Sequence, residues 1–261
     1  ILHFLSIGMI LLVRTAIFTE YGHMTKQPTH ATHLYPEGWT DYRLVDSGEG
    51  LKLEQFGPYR FIRPEPQALW AKFLPDSEWT CADGVFLPGS TEYKGKWQLS
   101  DRLPTSWQMV FENIKFTALP TPFRHLGFFP EQSANWQWTA KKINTFINKT
   151  SRAPKLLNLF AYSGVASLHA AAAGAEVTHL DASKKAVALA FDNRSLSGLE
   201  KAPIRFITDD VLRFVAREQR RGNHYEGILL DPPKYGRGPK GEIWQINKNL
   251  PELLSGCRAL L

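Results

Sequence analysis

The sequence predicts an α/β protein, a doubly wound parallel sheet preceded by a small β-rich domain. Three observations carry that prediction. Beyond about residue 136, near-continuous apolar runs alternate with helical stretches, the pattern of parallel strands covered on both faces. Residues 41–130 instead hold short β-type runs broken by frequent Gly and Pro. Acids stand just past three of the later apolar runs, at Asp181, Asp210 and Asp231, which is the carboxyl edge where open α/β sheets take their ligands.

In chain order, residues 1–40 read as a tail or a non-native extension. Residues 1–18 are mostly apolar but broken by His3 and Arg14. A membrane span needs about 20 apolar residues, and a signal peptide puts its cation before the apolar run. Neither pattern fits, so no membrane association is expected. Met24 opens a polar, turn-rich stretch and reads as the natural start, with 1–23 as upstream sequence. His23, His30 and His33 lie close together without a second ligand cluster and read as solvated, so no metal is expected. Hydrophobic content of 43% with 21% charged residues is that of an ordinary globular protein. The net charge of +6 favours an acidic partner, nucleic acid first. Two distant cysteines, Cys81 and Cys257, give no disulfide framework and no zinc spacing. They suit a reducing, cytoplasmic setting.

The β-rich domain spans 41–135. Strands are expected at Tyr42–Val45, Leu51–Phe56, Tyr59–Ile62, Trp97–Leu99, Trp107–Phe111 and Ile114–Ala118. Most of the eight tryptophans lie in or near it. Aromatics on short strands build a small core or stack nucleobases, and the core reading is favoured.

The parallel-sheet domain spans 136–261. A helix at about 136–148 ends before the boundary signal Ser151-Arg152-Ala153-Pro154. Lys155–Phe160 is a strand, Val165–Ala173 an alanine-rich helix stopped by Gly174. Glu176–Leu180 is the second strand, and Ser183 caps a helix running to about Ser197. Ile204–Ile207 is the third strand, and Asp210 opens a helix running to Arg221. Tyr225–Leu230 is the fourth strand, and Pro251–Leu261 a last helix.

Two segments point to chemistry. In Asn158-Leu159-Phe160-Ala161-Tyr162-Ser163-Gly164 a strand runs through a tight turn into a helix. Gly164 lets a ligand approach the backbone near the positive helix end. A dinucleotide site wants G-x-G-x-x-G, and one glycine supports a ligand without phosphates better. Asp181 can take both hydroxyls of a ribose, and Asp210 can accept from an adenine amino group. The second segment is Asp231-Pro232-Pro233-Lys234-Tyr235. Its acid and rigid proline carbonyls are acceptors for a planar amino-bearing base stacked on Tyr235. Each acid alone also suits a helix cap or a surface turn; the three together favour a site.

These motifs resemble those of the class I S-adenosylmethionine-dependent methyltransferases, and within them the branch that modifies large-subunit ribosomal RNA, including cytosine-5 enzymes. The resemblance covers roughly Tyr42–Leu261 and is strongest over Phe123–Gln137 and Lys155–Trp244. It implies a Rossmann-like sheet, S-adenosylmethionine as cofactor and ribosomal RNA as partner. By it, Phe160, Tyr162, Ser163 and Gly164 line the methionine side, Asp181 binds the ribose and Asp210 the adenine side. Gly127-Phe128-Phe129-Pro130-Glu131-Gln132 resembles the element that closes over the cofactor, which assigns Gln132 there. The family usually carries Asp and Arg around that Gln, where this chain has Glu131 and Ser133. Asp231-Pro232-Pro233-Lys234 matches the fourth motif.

On that basis Asp231 and Lys234 are the catalytic candidates. Pro232, Pro233, Tyr235 and Arg237 are the substrate contacts, with 236–241 a flexible basic loop for phosphate. The cytosine-5 route needs a cysteine that the family places after a fifth strand, so Cys257 is a poor candidate. Strands five to seven are expected beyond Leu261. Their absence predicts an exposed edge at Gly227–Leu230 and an unstable, inactive fragment. Two other classes stay open: a dinucleotide-dependent oxidoreductase, disfavoured by the missing glycines, and a non-catalytic RNA-binding module built on the aromatic β part. Target base and oligomeric state are left open.

Overall fold

The computed structural model describes residues 37–89 and 95–261, together with the backbone of strand β1 (Ile10–Val13). The expectations for Met24 as a start and for His23, His30 and His33 lie outside the described residues. Pro36–Glu131 forms one compact unit, and Gln132–Leu261 forms a second that takes in β1.

The first unit holds β2 (Tyr42–Gly48), β3 (Leu51–Phe56), β4 (Tyr59–Pro64), α1 (Asp76–Thr80), β5 (Gly84–Pro88) and β6 (Gly95–Leu99), a sheet in that strand order. The hairpin β7 (Trp107–Phe111) and β8 (Ile114–Ala118) completes it. Helix α1 and strand β5 go beyond the sequence expectation. Strand β5 pairs in parallel with β4 across a long connection, Phe61 opposite Gly84. Its glycine is required there: a Cβ at Gly84 would sit 2.6 Å from the Phe61 ring. The aromatics build a core rather than an open stacking face. Trp39 packs on Phe111 at 4.5 Å between centroids, Phe116 on Phe128 at 4.7 Å, and Phe61 stacks on Trp107. Among them lies a buried ion pair, with Arg63 donating to both oxygens of Glu54 at 2.6 and 2.7 Å. The Tyr42 hydroxyl donates to the same carboxylate.

After a single 3-10 turn over Pro130–Gln132, the second unit runs through α2 (Ser133–Thr150), β9 (Lys155–Leu159), α3 (Val165–Ala172), β10 (Glu176–Asp181), α4 (Lys184–Leu196) and β11 (Ile204–Thr208). It continues with α5 (Val211–Arg220), β12 (Gly227–Leu230), β13 (Tyr235–Arg237), β14 (Ile243–Gln245) and α6 (Ile246–Leu260). Strands β12, β9, β10 and β11 lie side by side in that order, all parallel, with Leu230, Leu159 and Leu180 in register. The predicted α/β class and parallel sheet are therefore present. Two starts follow their predicted caps. Ser183 Oγ accepts from the Ala186 amide at 3.2 Å, and Asp210 Oδ1 from the Arg213 amide at 3.1 Å. A continuous apolar core joins Leu157, Leu159, Val211, Phe214, Ile228, Leu230, Leu253 and Cys257 between sheet, α5 and α6.

Three expectations are corrected. Gly227–Leu230 is no exposed edge: β1 pairs antiparallel along all of it, Ile10 opposite Leu230 and Val13 opposite Gly227. A strand buried at every residue still has a row of N–H and C=O groups to satisfy, and a second apolar strand supplies them. The last helix begins at Ile246 rather than Pro251, which lies inside it. Residues 236–241 are not simply a loop, because Tyr235–Arg237 pairs antiparallel with Ile243–Gln245.

Candidate active site at the carboxyl edge of the sheet

The register levels the carboxyl ends of the four parallel strands, so the residues that follow them form one row. In spatial order these are Asp231, the turn 160–164, Asp181 at the end of β10, and Asp209-Asp210 after β11.

The turn is strained at residues that are not glycine. Phe160 has φ 54° and Tyr162 φ 48°, left-handed values that L side chains rarely adopt. Such backbone persists only where its surroundings over-determine it, and it clusters at ligand sites. The sequence placed Phe160 in a strand; the structure turns the chain there. Two side chains hold the turn. Asp181 Oδ2 accepts from the Tyr162 amide at 2.9 Å, and Asn193, fully buried on α4, donates to the Ser163 carbonyl at 2.9 Å. Gly164 also has a packing reason. At φ 83°, a Cβ there would lie 2.7 Å from the Ala190 Cβ, so the glycine lets α3 approach α4. Asn193 has no sequence signal, since it lies a helix away from the turn it secures.

Asp181 also accepts from the Ser183 amide at 2.8 Å. Burial raises its carboxyl pKa above the ordinary value, against the lowering effect of the Ser183, Tyr162 and Ala182 amides. Oδ2 takes the Tyr162 amide and Oδ1 the Ser183 amide, and a carboxylate has lone-pair sites for further donors. A partly desolvated carboxylate of this kind suits two vicinal hydroxyls. Asp210 is buried and caps α5 through Oδ1.

At the end of β12, Asp231 Oδ2 receives Gln132 Nε2 at 3.4 Å. Gln132 is buried, and its own Oε1 accepts from Asn135 Nδ2 at 2.7 Å, which fixes which way the amide faces. The structure thus brings together two residues that only the resemblance had linked; Asn135 was missed. Pro232 is buried, whereas Pro233, Lys234, Tyr235 and Arg237 are exposed. The Pro233 carbonyl accepts from Trp244 Nε1 at 2.7 Å, and the Lys234 carbonyl from the Ile246 amide at 3.0 Å. Trp244, also missed, faces inward from β14 onto Phe160 at 4.8 Å. Across the hairpin Tyr235 opposes Gln245 and Arg237 opposes Ile243. The hairpin turn is closed by Gly238 donating to the Glu242 carbonyl at 2.8 Å. Arg213 of α5 donates to the Glu242 side chain at 2.7 Å.

Cys257 is buried in α6, and burial pushes its thiol up to about 12, so it is no nucleophile. Among the described residues no group of three or more His, Cys, Asp or Glu could hold a metal ion, and no helix is long and apolar enough to cross a membrane.

An open parallel sheet with a strained turn and acids at its carboxyl ends defines the class, an α/β protein that takes a ligand along that edge. The chain belongs to the S-adenosylmethionine-dependent methyltransferase family, whose profile matches residues 90–261. Ribosomal RNA large subunit methyltransferase K/L from Hahella chejuensis is 37% identical over 248 residues, 90% of this chain and 33% of that protein. Ribosomal RNA large subunit methyltransferase I from Aeromonas salmonicida is 30% identical over 133 residues, 51% of this chain and 29% of that protein. The chain thus spans about a third or less of these curated relatives. A crystal structure of a SAM-dependent methyltransferase from Agrobacterium tumefaciens superposes with TM-score 0.82 at 48% identity, covering 89% of this chain and 73% of that one.

Proposed function

We propose that the protein transfers a methyl group from S-adenosylmethionine to a nucleobase of large-subunit ribosomal RNA. The observation that carries this is the order of groups along the sheet edge. From Asp231 to Asp210 the row crosses three strand spacings, roughly 14 Å at about 4.8 Å each, the length of an extended nucleoside with an amino-acid arm. Laid along it, the adenine meets Asp210, the ribose hydroxyls meet Asp181, and the methionine arm meets the turn 160–164. The reactive end then points at Asp231. When bound, S-adenosylmethionine supplies an electrophilic methyl group on a sulfonium.

The chain's own residues bind and orient. Asp231, steadied by Gln132, accepts from an amino or ring N–H of the target base, and the Pro232 carbonyl is a second acceptor beside it. Positioning of this kind is the main contribution a protein makes to a displacement on a preformed electrophile. Lys234, Tyr235 and Arg237 lie exposed next to that acid and meet RNA phosphate and base faces. A target base inside paired RNA is extruded first. The likeness to the ribosomal RNA methyltransferases of Hahella and Aeromonas supports ribosomal RNA as the substrate class. The free thiols Cys81 and Cys257 suit a cytoplasmic setting for such work.

Calorimetry with S-adenosylmethionine, S-adenosylhomocysteine and NAD tests the cofactor, and methyl incorporation into large-subunit rRNA tests the transfer. Asp181→Ala is expected to weaken S-adenosylhomocysteine binding at least about tenfold, the loss of a charge-assisted contact. Asp231→Asn is expected to spare that binding and abolish turnover. Tighter binding of NAD, or loss of S-adenosylhomocysteine by Asp231→Asn, would sink this division of roles.

A further inference from the structure

Trp244 makes two contacts that belong to the two halves of the proposed reaction. Its ring packs on Phe160 at 4.8 Å between centroids, tilted by 57°. Phe160 is the first left-handed residue of the turn assigned to the methionine arm. Trp244 Nε1 donates to the Pro233 carbonyl at 2.7 Å, inside the turn assigned to the target base. Trp244 itself is buried.

The hairpin explains why Trp244 points inward. Gly236 stands opposite it in the β13–β14 pair, and the nearest atoms to a Cβ at Gly236 would be those of Pro233 and Trp244. The indole therefore fills the space between the hairpin, the proline turn and Phe160. With the Pro233 carbonyl taken by Trp244 and the Lys234 carbonyl taken by Ile246, the turn's acceptors upstream of them are the Pro232 carbonyl and the Asp231 carboxylate.

We propose that Trp244 is a positioning residue that couples the cofactor turn to the target-base turn: its ring backs Phe160, and its N–H draws the Pro233 carbonyl away from the base. This rests on the methyltransferase reading above. The ring contact supports cofactor affinity, and the hydrogen bond supports turnover. The two contributions separate in different variants. Trp244→Phe keeps a ring against Phe160 and deletes the N–H; Trp244→Ala deletes both.

The test combines calorimetry with S-adenosylhomocysteine, methyl transfer to a large-subunit rRNA transcript, and amide hydrogen exchange over 231–237. In the wild type, S-adenosylhomocysteine is expected to slow exchange over 231–237. Trp244→Phe is expected to bind S-adenosylhomocysteine within about twofold of wild type, to lose the slowing at 231–237, and to drop in kcat about tenfold, the loss of one hydrogen bond that holds the turn. Trp244→Ala loses affinity as well. Unchanged kcat and unchanged transmitted protection in Trp244→Phe would overturn the coupling. Equal losses of affinity and melting temperature in Trp244→Phe and Trp244→Ala would reduce Trp244 to core filling and overturn it too. A wild type that binds no S-adenosylhomocysteine would overturn the functional reading and the coupling with it, whereas the first two outcomes leave that reading standing.

Discussion

Gly164→Ala separates packing from ligand approach as the reason for the glycine in the cofactor turn. Two penalties add. At φ 83° a residue with a Cβ sits in the left-handed region, which costs about 1–2 kcal/mol. The new Cβ would lie 2.7 Å from Ala190 Cβ and 3.2 Å from Ala190 Cα, and overpacking of that kind costs about 1–3 kcal/mol. Together Gly164→Ala is expected to destabilise by about 2–5 kcal/mol. Ala190→Gly alone costs about 1–2 kcal/mol, from helix propensity and a lost buried methyl. It also removes the atom that Gly164→Ala would strike. The double mutant should therefore be less destabilised than the sum by about 1–3 kcal/mol, while the backbone part remains. Urea unfolding followed by circular dichroism on the four proteins closes the cycle. Additivity within about 0.5 kcal/mol would refute the packing argument. A Gly164→Ala protein of normal stability that had lost S-adenosylhomocysteine would restore ligand approach as the reason for the glycine.

Acid should weaken the second unit through His169 and His179, whose pKa values burial lowers from 6.5 to about 4 and about 3. The unfolded chain takes up protons that the native one refuses, so this stability is complete above pH 6.5 and falls as pH drops towards those values. At pH 5 each histidine costs about 2 kcal/mol, read as a shift of the urea midpoint between pH 7.5 and 5; a flat midpoint would contradict it. In the first unit, Arg63→Met leaves Glu54 buried without its guanidinium and should cost about 3–5 kcal/mol in urea unfolding. Adding Glu54→Gln should recover part of that loss, and no recovery would argue against the pair. Asn193→Ala removes a turn contact, to the Ser163 carbonyl, whereas Asp181→Ala removes both a turn contact and a ribose acceptor. Asn193→Ala should therefore weaken S-adenosylhomocysteine binding by less than Asp181→Ala does in calorimetry; equal losses would assign Asp181 to the turn alone.

The parallel unit was legible because its signals are local. Apolar runs marked β9, β10, β11 and β12, and the caps at Ser183 and Asp210 work within one helical turn. Strand β5 and the β13–β14 hairpin escaped because their pairing is decided at a distance. Gly84 suits β5 only because the Phe61 ring lies on it, and the β13–β14 hairpin seats Trp244 on Phe160, far back along the chain. The site divides in the same way. The acids could be located by counting where strands end, since each needs only its own strand to place it. The partners that set their chemistry could not: Gln132 meets Asp231 across 99 positions, and Asn193 meets Ser163 across 30. The strain at Phe160 and Tyr162 left no trace in the sequence, because an aromatic forced to positive φ reads like any strand-end aromatic. That strain is held in part by Asp181, the residue also assigned to the ligand. One carboxylate thus shapes the turn and serves the ribose, so whatever protonates or draws on Asp181 also bears on the backbone that faces the methyl donor.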